Sequence, residues 1–173
     1  MTGADEYKDL NIQARLVAGL LTVEAWLRVH QLADAAIGDV LEHMWQWPTV
    51  TPDTFLPWFD FHSDELQAAE AEEPLPWRIA LACQERAAPA DDLAALLAHI
   101  VNIVYESLFC ALDLDLSLAR LHTIEVVAAR SGVRLPPGQR FASLKARDHM
   151  HGCGIPVSAT QVADWRREPE RRA

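Results

Sequence analysis

Cysteine and glycine are scarce in this chain, and basic residues are nearly missing from its first 118 positions. There are 3 cysteines and 7 glycines in 173 residues, and residues 1–118 hold 5 Lys and Arg against 20 Asp and Glu. Each shortage excludes something. Cys83, Cys110 and Cys153 are odd in number and far apart, with no CxxC pair, so they form no disulfide framework. Cys83 and Cys110 sit in apolar runs and read as reduced, buried small hydrophobes. The glycines assemble neither a dinucleotide fingerprint nor a phosphate loop. No apolar run approaches the length of a membrane span, and the amino terminus is acidic where a secretion signal would be basic and then apolar. A cytoplasmic protein without membrane attachment is therefore expected. Strict apolar–polar alternation never persists beyond a few residues, which argues against a sheet. G-x-S-x-G, HExxH and Glu-x-x-His are all missing, which removes the usual signatures of a serine hydrolase, a zinc protease and a di-iron bundle.

What is present is apolar residues at helical spacing and an uneven charge. Half of the residues are hydrophobic and 23% charged, enough apolar surface for one ordinary core. The net charge of −10 divides into −15 over residues 1–118 and +5 over residues 119–173. The negative field disfavours nucleic acid as a partner and favours a basic protein. Arg120, Arg130, Arg134, Arg140, Lys145 and Arg147 carry the opposite sign. Their simplest use is neutralising carboxylates of the first part, across helix packing or between subunits.

Ile12, Leu16, Leu20, Val23 and Leu27 recur every three or four residues, and the pattern resumes through Ile37, Val40, Leu41 and Met44. The joined pattern is long for a globular helix. A break near Gly19 or Gly38 is expected, giving a short first helix and a longer second one that stops before Pro48. Thr51-Pro52 is a helix start, threonine as cap and proline where no hydrogen bond is lost. Residues 63–73 read as a solvated acidic helix or loop, and a further helix is expected over 75–87. Residues 91–112 are apolar around much of the helical circumference, which predicts a central helix. Asp113 or Asp115 caps the next one, and Gly132 ends it in the left-handed region. Phe141 and Leu144 anchor the irregular end to the body. A glycine- and histidine-containing loop over 149–154 precedes a final short helix over 158–166. The fold class expected is all-α, a single-domain orthogonal bundle of about six to seven helices over residues 1–165, with 166–173 a frayed tail.

Two constellations bear on function. Trp45, Trp47, Phe55, Trp58, Phe59 and Phe61 form a dense aromatic stretch among acidic residues. Aromatic anchors inside a polar rim are what an interface hot spot uses, so Trp45, Trp47, Asp53, Phe55, Trp58, Asp60, Asp64 and Glu65 are the candidate contact residues. The second is Asp148 to Gly154, where His149, His151 and Cys153 are borderline zinc ligands on glycine-loosened backbone. Three ligands from so short a span need a fourth from elsewhere, and a loop tying its own backbone uses the same residues. Pairs such as His30 with Asp34, His99 with Asn102 and His122 with Glu125 are spaced for ordinary contacts on one helix face.

The segments VNIVYESLFCA (101–111), SGVRLPP (131–137) and the run from FAS (141–143) to HGCG (151–154) resemble uncharacterised all-helical proteins of high-GC, actinobacterial-type bacteria. The resemblance covers residues 20–154. It implies a helical fold and gives no residue a role. The leading expectation is a small cytoplasmic protein-binding domain of the immunity or antitoxin type, using its acidic aromatic face on a basic partner, with no cofactor and no catalytic residue. The alternatives are a metal-dependent enzyme, with zinc on His149, His151 and Cys153, and a homodimeric structural protein.

Overall fold

The apolar stripe that starts at Ile12 does form a helix, one covered on every side from Ile12 to Val23. The computed structural model describes residues 3–109, 114–145 and 154–167. Helix α1 spans Ile12–Val29, capped by Asn11, whose side chain accepts from Ala14 N at 3.0 Å. Every residue from Ile12 to Val23 is buried. The residues between the predicted stripe positions are as enclosed as the stripe itself. Gly19, expected as a break, is instead a packing contact: a Cβ there would lie 2.5 Å from Ile100 Cδ1 and 3.1 Å from Ile124 Cδ1. Replacing Gly19 with leucine should cost about 1–3 kcal/mol by overpacking. Urea unfolding measures this, and an unchanged midpoint would mean that the neighbouring helices yield freely.

The order of helix lengths is the reverse of the expected one. The long α1 ends at Val29, Gln31 takes a left-handed φ of 51°, and Asp34 caps the shorter α2, Ala35–Gln46, accepting from Ala36 N and Ile37 N. Asp34 outcompetes the glycines because a side-chain cap supplies the hydrogen bonds that a new helix start lacks. His30 therefore does not share a helix face with Asp34, and its Nε2 meets Ser131 Oγ at 2.8 Å.

A short 3-10 turn at Trp47–Thr49 leads to α3, Pro52–Phe59, which starts where Thr51-Pro52 predicts. Thr54 Oγ1 reaches back to accept from Thr51 N at 2.8 Å. Helix α4, Asp64–Glu70, resolves the acidic stretch as a helix: Ser63 Oγ caps it through Leu66 N, and Leu66 and Ala69 are buried. α5 spans Trp77–Glu85, α6 Ala90–Phe109, α7 Leu114–Ala129 and α8 Ala159–Arg167. The described residues thus hold eight α-helices and no strand, one more helix than expected, because the acidic stretch is a helix in its own right. Gly132 ends α7 at φ 75°, as its position suggests.

Helices α1, α6 and α7 pack against one another, α4 lies on α6, and α2 packs on α1 and α4. One hydrophobic core runs through all of them and takes in Phe141, Leu144, Val162 and Trp165 from the carboxyl-terminal part. The 3-10 turn Gly3–Tyr7 docks on α7, where Glu125 accepts from Gly3 N at 2.6 Å and Ala4 N at 3.1 Å. His122 Nδ1 lies 3.5 Å from the same carboxylate. Among the described residues no helix is long and apolar enough to cross a membrane.

Much of the charge asymmetry closes inside the molecule. Arg120 pairs with Glu106 and Glu72, Arg130 with Asp92, and Arg166 with Glu42 and Glu24. In each case a cation from the second part meets a carboxylate from the first. Arg140 donates to the carbonyl of Trp165 and lies over the Phe141 ring. Cys83 is buried and free.

Candidate binding site

Helix α2 has two faces. Val40, Leu41, Met44 and Trp45 turn into the core, while Asp39, Glu42 and Gln46 stay exposed. His43 lies between the two sets, and its ring closes the gap between α2 and the segment after α3. It stacks on Trp58 at 4.6 Å, with 8° between the planes, and on Phe61 at 4.5 Å. Its Nε2 shares a 3.1 Å hydrogen bond with Tyr105 Oη on α6, and Trp58 Nε1 donates to the His43 carbonyl at 3.0 Å. His43 is 3% exposed. Burial pushes its pKa down to about 4, so the ring is neutral at pH 7. Tyr105 stays a phenol, its pKa pushed up to about 12 by burial and by Glu70.

These side chains build a cleft of about 360 Å³ lined by Asp39, Glu42, His43, Gln46, Pro57, Trp58 and Phe61. Its floor is uncharged and aromatic, and its rim carries two carboxylates. Such a site favours a cation: the floor carries no competing positive charge and the rim carboxylates offer the opposite one. The chain itself provides a sample of this chemistry beside the cleft. Arg166 on α8 donates to Glu42 Oε2 at 2.8 Å and holds its guanidinium 4.9 Å from the centre of the Trp45 ring.

Of the residues singled out by sequence, Trp45 and Trp58 are 2% and 4% exposed and belong to the core. Trp45 Nε1 donates to Glu24 at 2.8 Å. Glu65 is also buried, and Arg78 reaches it at 3.1 Å. These three lie largely beneath the surface, and of them Trp58 forms part of the floor of the cleft. Trp47 and Phe55 are partly buried, and Asp53, Asp60 and Asp64 are exposed. Glu42 is one of the acidic residues that flank the aromatic stretch in the sequence, whereas Asp39, His43 and Gln46 were missed, although spacings of three, four and seven put all four on one face of α2. Trp77, 74% exposed, with Leu81 one turn on at 45%, forms an outward apolar stripe that composition did not reveal.

The zinc candidates His149, His151 and Cys153 lie outside the described residues, as do Asp113, Arg147 and Cys110. Among the described residues no three His, Cys, Asp or Glu side chains are grouped to hold a metal ion.

By fold and site, the molecule is an all-α bundle with an acidic-rimmed aromatic cleft between two of its helices. No family model matches the chain, and neither does any of the curated proteins or solved structures with which it was compared.

Proposed function

We propose that this protein is a binding domain for a basic protein partner, of the immunity or antitoxin type, and that an arginine or lysine of the partner enters the α2–α3 cleft. The observation that carries the reading is the pairing of Asp39 and Glu42 with an uncharged floor of Trp58, Phe61 and neutral His43. The net charge of −10 adds long-range attraction that speeds the encounter with a cationic surface. Self-association is a second reading, favoured by the exposed Trp77–Leu81 stripe on α5.

Titration with a nona-arginine peptide, followed by calorimetry, tests the first reading. Changing Asp39→Asn together with Glu42→Gln should weaken binding about tenfold, the equivalent of roughly 1.4 kcal/mol. The control Glu85→Gln with Asp91→Asn removes the same charge away from the cleft and should weaken it much less. Raising the salt should weaken binding by the intact protein. Equal losses in both double variants, or an affinity insensitive to salt, would refute the cleft as the site. A protein that sediments as a dimer and ignores the peptide would favour the second reading.

A further inference from the structure

Glu42 does not stand free on the rim of the cleft. Its carboxylate is paired with α8, where Arg166 Nη1 donates to Glu42 Oε2 at 2.8 Å. The second arm of the same guanidinium, Nη2, meets Glu24 Oε1 on α1 at 3.4 Å, and its central carbon lies 4.9 Å from the centre of the Trp45 ring. Trp45 Nε1 in turn holds Glu24 at 2.8 Å. One cation thus joins carboxylates of α1 and α2 over an indole. Asp39, one turn earlier on α2, differs: it is exposed, and its carboxylate has no ion pair or hydrogen bond among the described residues.

Arg166 is not what anchors α8. Val162 and Trp165 belong to the core, Trp165 packs edge-on against Phe141 at 6.1 Å, and Arg140 donates to the Trp165 carbonyl. The Arg166 side chain itself reaches the surface, 36% exposed against 56% for Glu42. An ion pair so exposed is held weakly. When Glu42 is taken from it, Arg166 keeps Glu24 and the Trp45 ring. The side chain can therefore release Glu42 while the helix stays docked.

We infer that Arg166 is a built-in competitor for the cleft: it occupies Glu42 in the free protein, and the partner's cation must take that carboxylate from it. The inference rests on the basic-partner reading. The resting cleft offers one free carboxylate, Asp39, and an entering arginine or lysine gains the second only at the expense of Arg166. Because the displaced guanidinium still has Glu24, the contact restrains binding by a few-fold and does not lock the site.

Nona-arginine is the probe, followed by calorimetry on the full chain. Arg166→Gln should bind it about threefold more tightly than the intact protein, the worth of one exposed ion pair. Arg167→Gln removes the same charge one residue on, where the partner is Asp164 and not the rim, and should gain much less. The gain should depend on Glu42. Adding Glu42→Gln to Arg166→Gln should abolish it, whereas Glu42→Gln in the intact protein should change the affinity little. Two independent sites would not show that non-additivity. The inference is overturned if Arg166→Gln binds no more tightly than Arg167→Gln. It is equally overturned if the gain survives Glu42→Gln, which would make it an effect of net charge or of Glu24. If Asp39→Asn with Glu42→Gln weakens binding but Arg166→Gln does not strengthen it, the competitor fails and the cleft stands. If neither the intact protein nor Arg166→Gln binds the peptide, both fail. Should Arg166→Gln not fold, Arg166→Lys takes its place, since a point charge does not span both carboxylates. It should give a smaller gain with the same dependence on Glu42, and no gain there overturns the inference.

Discussion

Replacing Arg15 with methionine is expected to destabilise the protein by about 3–5 kcal/mol, the cost of stripping a buried, hydrogen-bonded charge from its partners. Arg15 lies on the central helix and is 1% exposed. Its Nε and Nη2 donate to the Tyr7 carbonyl at 3.2 and 3.1 Å, Nη2 also to the Lys8 carbonyl at 3.0 Å, and Nη1 to Ser117 Oγ at 2.7 Å. Burial pushes the pKa down to about 10, against the pull of Asp115 and Asp9. The guanidinium therefore remains charged at pH 7. Methionine fills similar length and is apolar, so the variant removes the donors with little loss of packing. Two carbonyls before α1 then lie in the interior with those donors gone. The amino-terminal segment should loosen, because Tyr7 is fully buried against Phe141 and its hydroxyl bonds the Pro136 carbonyl at 2.6 Å. Lysine at position 15 should fall between the two, restoring charge without the planar fork. Urea unfolding gives the stabilities, and limited proteolysis should cut the methionine variant first near residues 3–10. A loss under about 1 kcal/mol would show that other contacts hold this segment.

The second large effect concerns acid. The His43 ring takes up a proton near pH 6.5 in the unfolded chain and only near pH 4 in the folded protein. Between those values the unfolded state binds the extra proton, so stability rises with pH. The contribution is fully present above pH 6.5 and is lost progressively as the pH falls to about 4. At about 1.4 kcal/mol per unit it reaches roughly 3 kcal/mol. Burial and Arg120 also depress the pKa of His99, and that adds to the acid sensitivity in the same direction. His43→Phe isolates the first contribution, since phenylalanine keeps the stack with Trp58 and Phe61 but takes no proton. The missing bond to Tyr105 shifts the variant by an amount that does not change across this pH range. The stability difference between the two proteins, measured by urea unfolding from pH 4 to 7, should slope through this window. A flat difference would mean that the His43 ring protonates as readily folded as unfolded.

How far the sequence was legible follows from the range of the forces involved. Thr51-Pro52 and Gly132 marked a helix start and a helix end because capping and left-handed backbone are settled within a few residues. The break between α1 and α2 was misplaced because Gly19, weak in isolation, is needed by Ile100 and Ile124, which are distant in sequence. Residues 63–73 did not declare themselves a helix because α4 depends on burying Leu66 and Ala69, contacts that its acidic composition does not announce. The aromatic stretch was rightly seen as dense, but density does not say which way a ring turns. Trp45 and Trp58 turn inward, and the rim passes to Asp39 and Glu42 on the preceding helix.

Composition and apolar period alone determined an all-α protein with a strong negative field and one substantial core. These are properties of each segment's own chemistry. Tertiary structure decided that α1 is enclosed on every side from Ile12 to Val23, that Arg120, Arg130 and Arg166 close onto acidic residues of the first part, and that a neutral histidine lies between two rings beneath two carboxylates. It also decided that Gln13, a polar residue in a largely apolar helix, buries a side-chain oxygen that has no partner among the described residues. Each of these depends on which distant residue covers which face. Burial then sets whether a charge is paired, a histidine stays neutral or a hydrogen bond goes unmade, and that follows only once the helices have packed.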